Sequence, residues 1–159
     1  MSRSLGAALP PALVRRLSQE DLPSLLGRAL PLLTLDDQGR PHPMLCSYLE
    51  LLAVGPGLIR LAIGARSSTR RNLETRGAAT LVIAEPGVTM YVKCRAGAPP
   101  LLAGELARFE LAVEDVLEDA AQDYEQGARI TSGLTYAPVP ALDSEWARAT
   151  LAALRLERT

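Results

Sequence analysis

The chain is short of the residues that most often build catalytic and metal sites. It has one histidine, His42, and two cysteines, Cys46 and Cys94, in 159 residues. A four-ligand zinc site of cysteine and histidine cannot be assembled from these within one chain. The cysteines lie far apart and form no C-x-x-C pair, so they read as buried free thiols in a reducing cytoplasm. Aromatic residues are also scarce, with one Trp, one Phe and four Tyr. That leaves no platform on which nucleic-acid bases could stack. Lys93 is the only lysine, and the other sixteen of the seventeen basic residues are arginine. Against 18 acidic residues the net charge is −1, which excludes a strongly basic nucleic-acid binder. No apolar run approaches the roughly 20 residues of a membrane span. Met1 to Val14 is mildly apolar but is broken by Pro10 and Pro11, and it lacks the ordered regions of a signal peptide. The expectation is a cytoplasmic protein with neither a membrane nor a nucleic acid as partner.

What is there is enough apolar residue for one core. Hydrophobic residues make up 48% of the chain and charged residues 22%, the balance of an ordinary globular domain of this length. Ala12 to Leu17 reads as a short helix. A second short turn of helix carries Leu22, Leu25 and Leu26, with Pro23 in its first turn and Gly27 as its stop. Strands are expected at Leu30–Leu35, His42–Val54, Leu58–Ile63, Ala78–Ala84, Val88–Ala96 and Gly104–Val116, with a last short one at Ile130–Tyr136. The stretch Asp36-Asp37-Gln38-Gly39 joins the first two as a hairpin turn. Arg66–Arg76 is expected to be helical, Glu118–Gln126 a helix or turn, and Ser144–Leu156 an amphipathic helix with Trp146, Thr150, Leu151 and Leu154 on its buried stripe. In Gly104–Val116, Phe109, Leu111 and Val113 point one way while Arg108, Glu110 and Glu114 point to solvent. Strands joined by tight turns imply an antiparallel sheet that closes on itself to remove its edges. The fold class is mainly β, a six-stranded antiparallel barrel with short flanking helices and a C-terminal helix, in a single domain over residues 1–159.

The common catalytic signatures G-x-G-x-x-G, G-x-x-x-x-G-K-[ST] and G-x-S-x-G are absent. His42 stands between two prolines in a strand and makes a poor triad member. The acids Glu114, Asp115, Glu118 and Asp119 alternate with apolar residues, as a solvated face does. The informative stretch is Arg60–Arg76, where Arg60, Arg66, Arg70, Arg71 and Arg76 oppose only Glu74, a net +4. Glu105–Glu125 is the reverse, with eight acids against Arg108 for a net −7. Ser67, Ser68 and Thr69 stand where the loop becomes a helix. A helix N-terminus offers free N–H groups and a positive dipole end. Hydroxyls and guanidinium groups there suit a phosphate.

The turn Asp36-Asp37-Gln38-Gly39-Arg40-Pro41-His42-Pro43, the strand LIRLAIG and the stretch ARSSTRRNLETRGAATLVI together resemble the FMN-binding split-barrel family related to pyridoxamine 5′-phosphate oxidase. The resemblance covers about Leu30 to Val116. It implies a split β-barrel, a homodimer with FMN in a groove at the interface, and oxidoreductase chemistry on a small-molecule substrate. It implies that Met44, Leu45, Cys46 and Ser47 flank the flavin ring, together with Ala62 and Ile63. The phosphate would lie on Arg66, Ser67, Ser68, Thr69 and Arg70, with a polar contact from Asn72, and Tyr91 and Lys93 would approach from the other side. The family's Arg-Lys pair in the phosphate turn is replaced here by Ser68 and Thr69, and its C-terminal Arg-x-His motif is absent. Pyridoxamine phosphate is therefore not the implied substrate, and no catalytic residue or metal ligand is assigned. Deazaflavin, haem or no cofactor are the alternatives to FMN. The alternative function is a non-catalytic flavin- or ligand-binding dimer serving as sensor, carrier or scaffold.

Overall fold

The computed structural model describes all 159 residues. The elements run β1 (Ser2–Ser4), α1 (Pro11–Arg16), α2 (Leu22–Leu25), β2 (Arg28–Leu35), β3 (Pro41–Ser47), β4 (Leu51–Gly55), β5 (Leu58–Gly64), α3 (Ser68–Arg76), β6 (Ala78–Glu85), β7 (Val88–Ala96), β8 (Leu101–Ala103), β9 (Leu106–Asp119), β10 (Leu134–Thr135) and α4 (Glu145–Arg155). All ten strands belong to one sheet, ordered β10-β2-β6-β7-β9-β5-β4, with β3 on β2 and with β1 and β8 on β9. Every pairing is antiparallel. The sheet curls into a split barrel. The strand count is ten rather than the expected six, because β1, β8 and β10 are short pieces added at the ends of β9 and β2 and one expected strand is divided.

That divided strand is His42–Val54. It breaks at a 3-10 turn, Tyr48–Glu50, where the Glu50 carboxylate accepts from the Ser47 amide at 2.7 Å and from its hydroxyl at 3.1 Å. The chain therefore bends between β3 and β4 and leaves both as edges. Pro41 and Pro43 sit on the β3 edge, where they block pairing with a foreign strand. The hairpin at Asp36–Gly39 forms as expected: Asp36 Oδ1 accepts from the amides of Gln38 and Arg40 at 2.9 and 2.8 Å, and Gly39 takes φ +75°. These amide donors, that of Arg40 foremost, hold the Asp36 carboxyl below its ordinary value.

β9 organises the barrel. It pairs with β5 through Leu106–Ala112 and with β7 through Leu111–Glu118. The register slips between Lys93 and Cys94, whose partners are Asp115 and Val113. Glu114 is thus an inserted residue, and the bulge resets the alternation so that Val116 joins Phe109, Leu111 and Val113 inside. One cluster of 27 buried residues fills the barrel, and a second of four, Ala62, Leu106, Ala153 and Leu154, lies under α4.

Helix α4 is capped by Ser144, which accepts from the Ala147 amide at 3.2 Å. Its buried face is Ala147, Thr150, Ala153 and Leu154, whereas Trp146 is exposed. The expected stripe was turned because small alanines, not the large Trp, permit close approach to β5 and β9. Under this helix lie Arg60 and Arg108, so the β9 face expected to meet solvent is covered at Arg108. At the other end of β9 the chain continues as strand to Asp119, and the helix or turn expected over Glu118–Gln126 is a 3-10 turn at Asp123–Glu125. Of Ile130–Tyr136 only Leu134 and Thr135 pair, with Ala29 and Arg28.

Candidate functional site

The outer face of β2, β6 and β7 carries residues of one parity. Leu33 lies opposite Thr80, Thr80 opposite Lys93, and Val82 opposite Tyr91. These side chains are only partly covered, unlike Leu32, Leu81 and Val92 on the inner face. A groove of about 430 Å³ lies on this face, with Leu33, Leu35, Thr80, Val82 and Tyr91 on its walls and Lys93 on the same face outside its lining. It is mainly apolar, as a planar ring system would require. The Tyr91 hydroxyl donates to Asp119 Oδ2 at 2.7 Å, which raises the phenol pKa and lowers that of Asp119.

The basic turn forms a second surface. Ser67 caps α3 by accepting from the Arg70 amide at 3.1 Å. The amides of Ser68 and Thr69 find no acceptor in the chain. Ser68 and Arg71 are exposed, and the Arg66 side chain is 89% exposed, with only Glu105 nearby at 3.8 Å. Arg70 is already engaged, by Glu74 at 3.0 Å and the Ala65 carbonyl at 2.7 Å. Thr69 and Asn72 are buried, and Asn72 Nδ2 donates to Thr34 Oγ1 at 3.0 Å, tying α3 to β2. Gly77 ends the helix in the left-handed region at φ +73°.

The residues expected to flank a ring divide by parity. Leu45 is exposed on the outer face, but Met44 packs on the core and Cys46 is buried in it, donating to the Leu30 carbonyl at 3.4 Å. Burial raises the Cys46 thiol pKa, and that of Cys94 rises to about 12. Ser47 is spent in its turn. Ala62 lies under α4 and Ile63 in the barrel core. Arg60 belongs to neither surface, because its guanidinium sits beneath α4 on the Leu154 carbonyl and Glu157. The structure therefore brings together Tyr91 and Lys93 on the groove face and Arg66, Ser68 and Arg71 at the turn. No residue of the turn lines the groove within one chain.

Leu33, Leu35, Thr80 and Val82 were missed as site residues. Their signal was the lack of alternation in LPLLTL and AATLVIA, since a strand apolar on both faces is one whose second face is also meant to be covered.

This combination of a ten-stranded antiparallel split barrel, an apolar outer groove and a basic helix-entry turn defines the fold class of the pyridoxamine 5′-phosphate oxidase-like split barrels. Two solved structures share the fold. A protein of Lactobacillus delbrueckii provisionally designated a pyridoxamine 5′-phosphate oxidase superposes with a TM-score of 0.56 at 15% identity, over 72% of this chain and 98% of that one. An FMN-binding protein of Syntrophomonas wolfei gives 0.54 at 13% identity, over 70% and 88%. The chain belongs to the same family as the uncharacterized protein YclD of Bacillus subtilis (strain 168), with 33% identity over 107 residues, 64% of this chain and 70% of YclD. No family model matches the sequence. No helix is long and apolar enough to cross a membrane.

Proposed function

We propose that the chain binds FMN and serves as a flavin-dependent oxidoreductase, acting as a cytoplasmic homodimer. The observation that carries this reading is the donor set at the start of α3, whose first two amides have no acceptor. Two free amides, the Ser68 hydroxyl and the Arg66 and Arg71 guanidinium groups stand at the positive end of a nine-residue helix. These residues fit a phosphate, and the groove over Leu33, Leu35 and Val82 fits an apolar ring. The separation of turn and groove within one chain favours a cofactor shared between two copies, each covering the other's outer sheet face. The FMN-binding and oxidase designations of the structural neighbours agree with it. When bound, the flavin supplies the electron and hydride transfer. The chain's own residues anchor the phosphate, exclude water from the ring face and place Tyr91 and Lys93 beside it.

A second reading is favoured by one observation: the groove contains no Asp, Glu or His. A groove without a carboxylate or imidazole suits a flavin sensor, carrier or scaffold as well as an enzyme. The test is the absorbance spectrum of the protein as purified and after incubation with FMN, with mass spectrometry of any released group. A flavin spectrum bleached by NADH or NADPH supports the oxidoreductase. A flavin that neither donor reduces supports the sensor or carrier. A protein that stays colourless with FMN refutes both flavin readings, and a released deazaflavin or haem replaces FMN with that group.

A further inference from the structure

Two like charges lie close together beneath α4. Arg60 of β5 and Arg108 of β9 are both buried, and the register sets Arg60 opposite Glu110 and Arg108 opposite Ala62. One carboxylate serves both guanidinium groups: Glu110 Oε1 is 3.4 Å from Arg60 Nε and 3.4 Å from Arg108 Nη2. Two cations with one acid leave an excess positive charge in a covered place, which is costly. The balancing charge comes from beyond the helix. Glu157 takes the Arg60 fork with both oxygens, at 3.1 and 2.9 Å, the bidentate geometry that makes such pairs strong. The same stretch supplies main-chain acceptors: Arg60 donates to the Leu154 carbonyl at 3.1 Å and Arg108 to that of Leu156. Arg158 adds a cation at the outer end, donating to the Pro99 carbonyl. The barrel thus caps the last turn of α4, whose carbonyls have no donor within the helix. Of the two balancing carboxylates, Glu157 is the one open to solvent, at 78% exposure.

What α4 covers here continues into the basic turn. Ala153 and Leu154 pack on Ala62 and Leu106, in a cluster separate from the barrel core. Leu106 pairs with Gly64. The Ala65 amide donates to the Glu105 carbonyl at 2.8 Å, and the Ser67 amide to the Gly64 carbonyl at 3.1 Å. The end of β5 that α4 holds down is therefore the base of the loop that carries Arg66, Ser67 and Ser68.

We infer that Glu157 on Arg60 is an ionic latch that regulates the basic turn. Closed, it keeps the last turn of α4 seated and the base of the loop covered. Without the Glu157 charge, Arg60 and Arg108 repel each other with only Glu110 between them. The last turn of α4 then lifts, Leu106 is uncovered and the loop loses its fixed base. Salt opens the latch in the same way, because it screens an exposed carboxylate far more than the buried groups beneath it. The latch rests on the flavin reading for its effect on a bound phosphate, not for its existence.

The experiment is amide hydrogen exchange, read by mass spectrometry on the full chain without flavin, at about 20 mM and about 0.5 M salt. Fluorescence titrations follow with FMN and with riboflavin, which lacks the phosphate. At low salt Glu157→Gln is expected to speed exchange about fivefold in residues 152–156 and 64–70. Wild type should approach those rates at high salt. FMN binding should weaken about threefold in Glu157→Gln while riboflavin binding is unchanged. Arg108→Met removes the repulsion and is the second variant: combined with Glu157→Gln, it should return exchange in both segments close to the wild-type rate. Exchange in Glu157→Gln equal to wild type, faster exchange confined to residues 152–156, or faster exchange that Arg108→Met fails to reverse overturns the proposal. Faster exchange in both segments of a chain that binds no FMN overturns the flavin reading alone, and FMN binding with both segments unchanged overturns only the latch.

Discussion

Arg108 should be replaceable by methionine with a gain in stability. It is fully buried beneath α4. One of its nitrogens donates to the Leu156 carbonyl, while Nε and Nη2 have no hydrogen-bond partner. Nη2 lies 3.4 Å from Glu110 Oε1, which Arg60 Nε approaches equally at 3.4 Å. Burial, and then the charge of Arg60, lower the Arg108 pKa. Methionine is of similar length and needs no donors satisfied. The substitution loses one charge-assisted bond, about 1.5–3 kcal/mol, and relieves two unpaired buried groups at about 1–3 kcal/mol each. Glu110 keeps Arg60 and is not stranded. The expected balance is a gain of about 1–2 kcal/mol, in line with what apolar replacement of buried ions can yield. At about 2–4 °C per kcal/mol the midpoint should rise by roughly 2–8 °C. Arg60→Met should do the opposite. Arg60 donates to the Leu154 carbonyl at 3.1 Å and to both oxygens of Glu157 at 3.1 and 2.9 Å. Glu157 is 78% exposed, so screening reduces its share and the loss should be about 1 kcal/mol. The double variant strands Glu110 and should fall below the sum of the two. Urea unfolding at constant slope measures all three. A loss above about 1 kcal/mol in Arg108→Met, or both single variants moving the same way, would refute the reasoning.

Glu50 is raised by burial, against the lowering effect of its bonds from Ser47. Ionising it in the folded state therefore costs stability, which returns as pH falls through its raised pKa; the stability of wild type relative to Glu50→Gln should climb on acidification, and parallel stability–pH curves would contradict this. Gly77→Ala places a side chain at φ +73° and 3.4 Å from the Ala96 carbonyl, and should lower stability by about 1–2 kcal/mol in thermal unfolding. Ser68→Glu adds an acid to the first turn of α3, which favours the helix but repels a phosphate; FMN affinity by fluorescence titration should fall about tenfold or more with the melting temperature maintained. Unaltered affinity would remove the phosphate from this turn.

Where local chemistry decides structure, the sequence was readable. Asp36 and Gly39 make their hairpin unaided, and Ser67, Gly77 and Ser144 bound their helices as cap residues do. The break at Tyr48–Glu50 was also written locally, as Ser47-x-x-Glu50, but an apolar run on either side made it look like one strand. The bulge at Glu114 was hidden for another reason. A period-2 reading holds only while the register holds, and Val116 returns to the core one residue out of phase. The short strands β1 and β8 form because β9 is long enough to offer them an edge, and β10 because β2 does, conditions that no local pattern records. For the site, parity was the deciding quantity. Met44 and Cys46 share a strand with Leu45 but face the opposite way, so a run of consecutive residues could not all flank one ligand.

Charge shows the same limit in another form. Arg60 belongs to the basic stretch by number, yet β5 carries it beneath α4, where Glu110 and Glu157 neutralise it. Arg70 is answered within its own helix by Glu74. The acidic stretch is also largely spoken for: Glu105 faces Arg66, Glu114 faces Arg95, Glu118 faces Arg3 and Asp119 faces the N-terminus. Most of the segregation along the chain is therefore cancelled across strands, and it leaves no broad basic face. What survives is local and of two signs. Donors without acceptors stand at the start of α3. A buried acceptor without a donor stands at Glu85, on the carboxylate that Arg16 and Arg28 share. Unspent hydrogen-bonding capacity open to solvent is more informative than net charge here, because the amides at the start of α3 can still meet a ligand whereas the unpaired nitrogens of Arg108, sealed beneath α4, cannot.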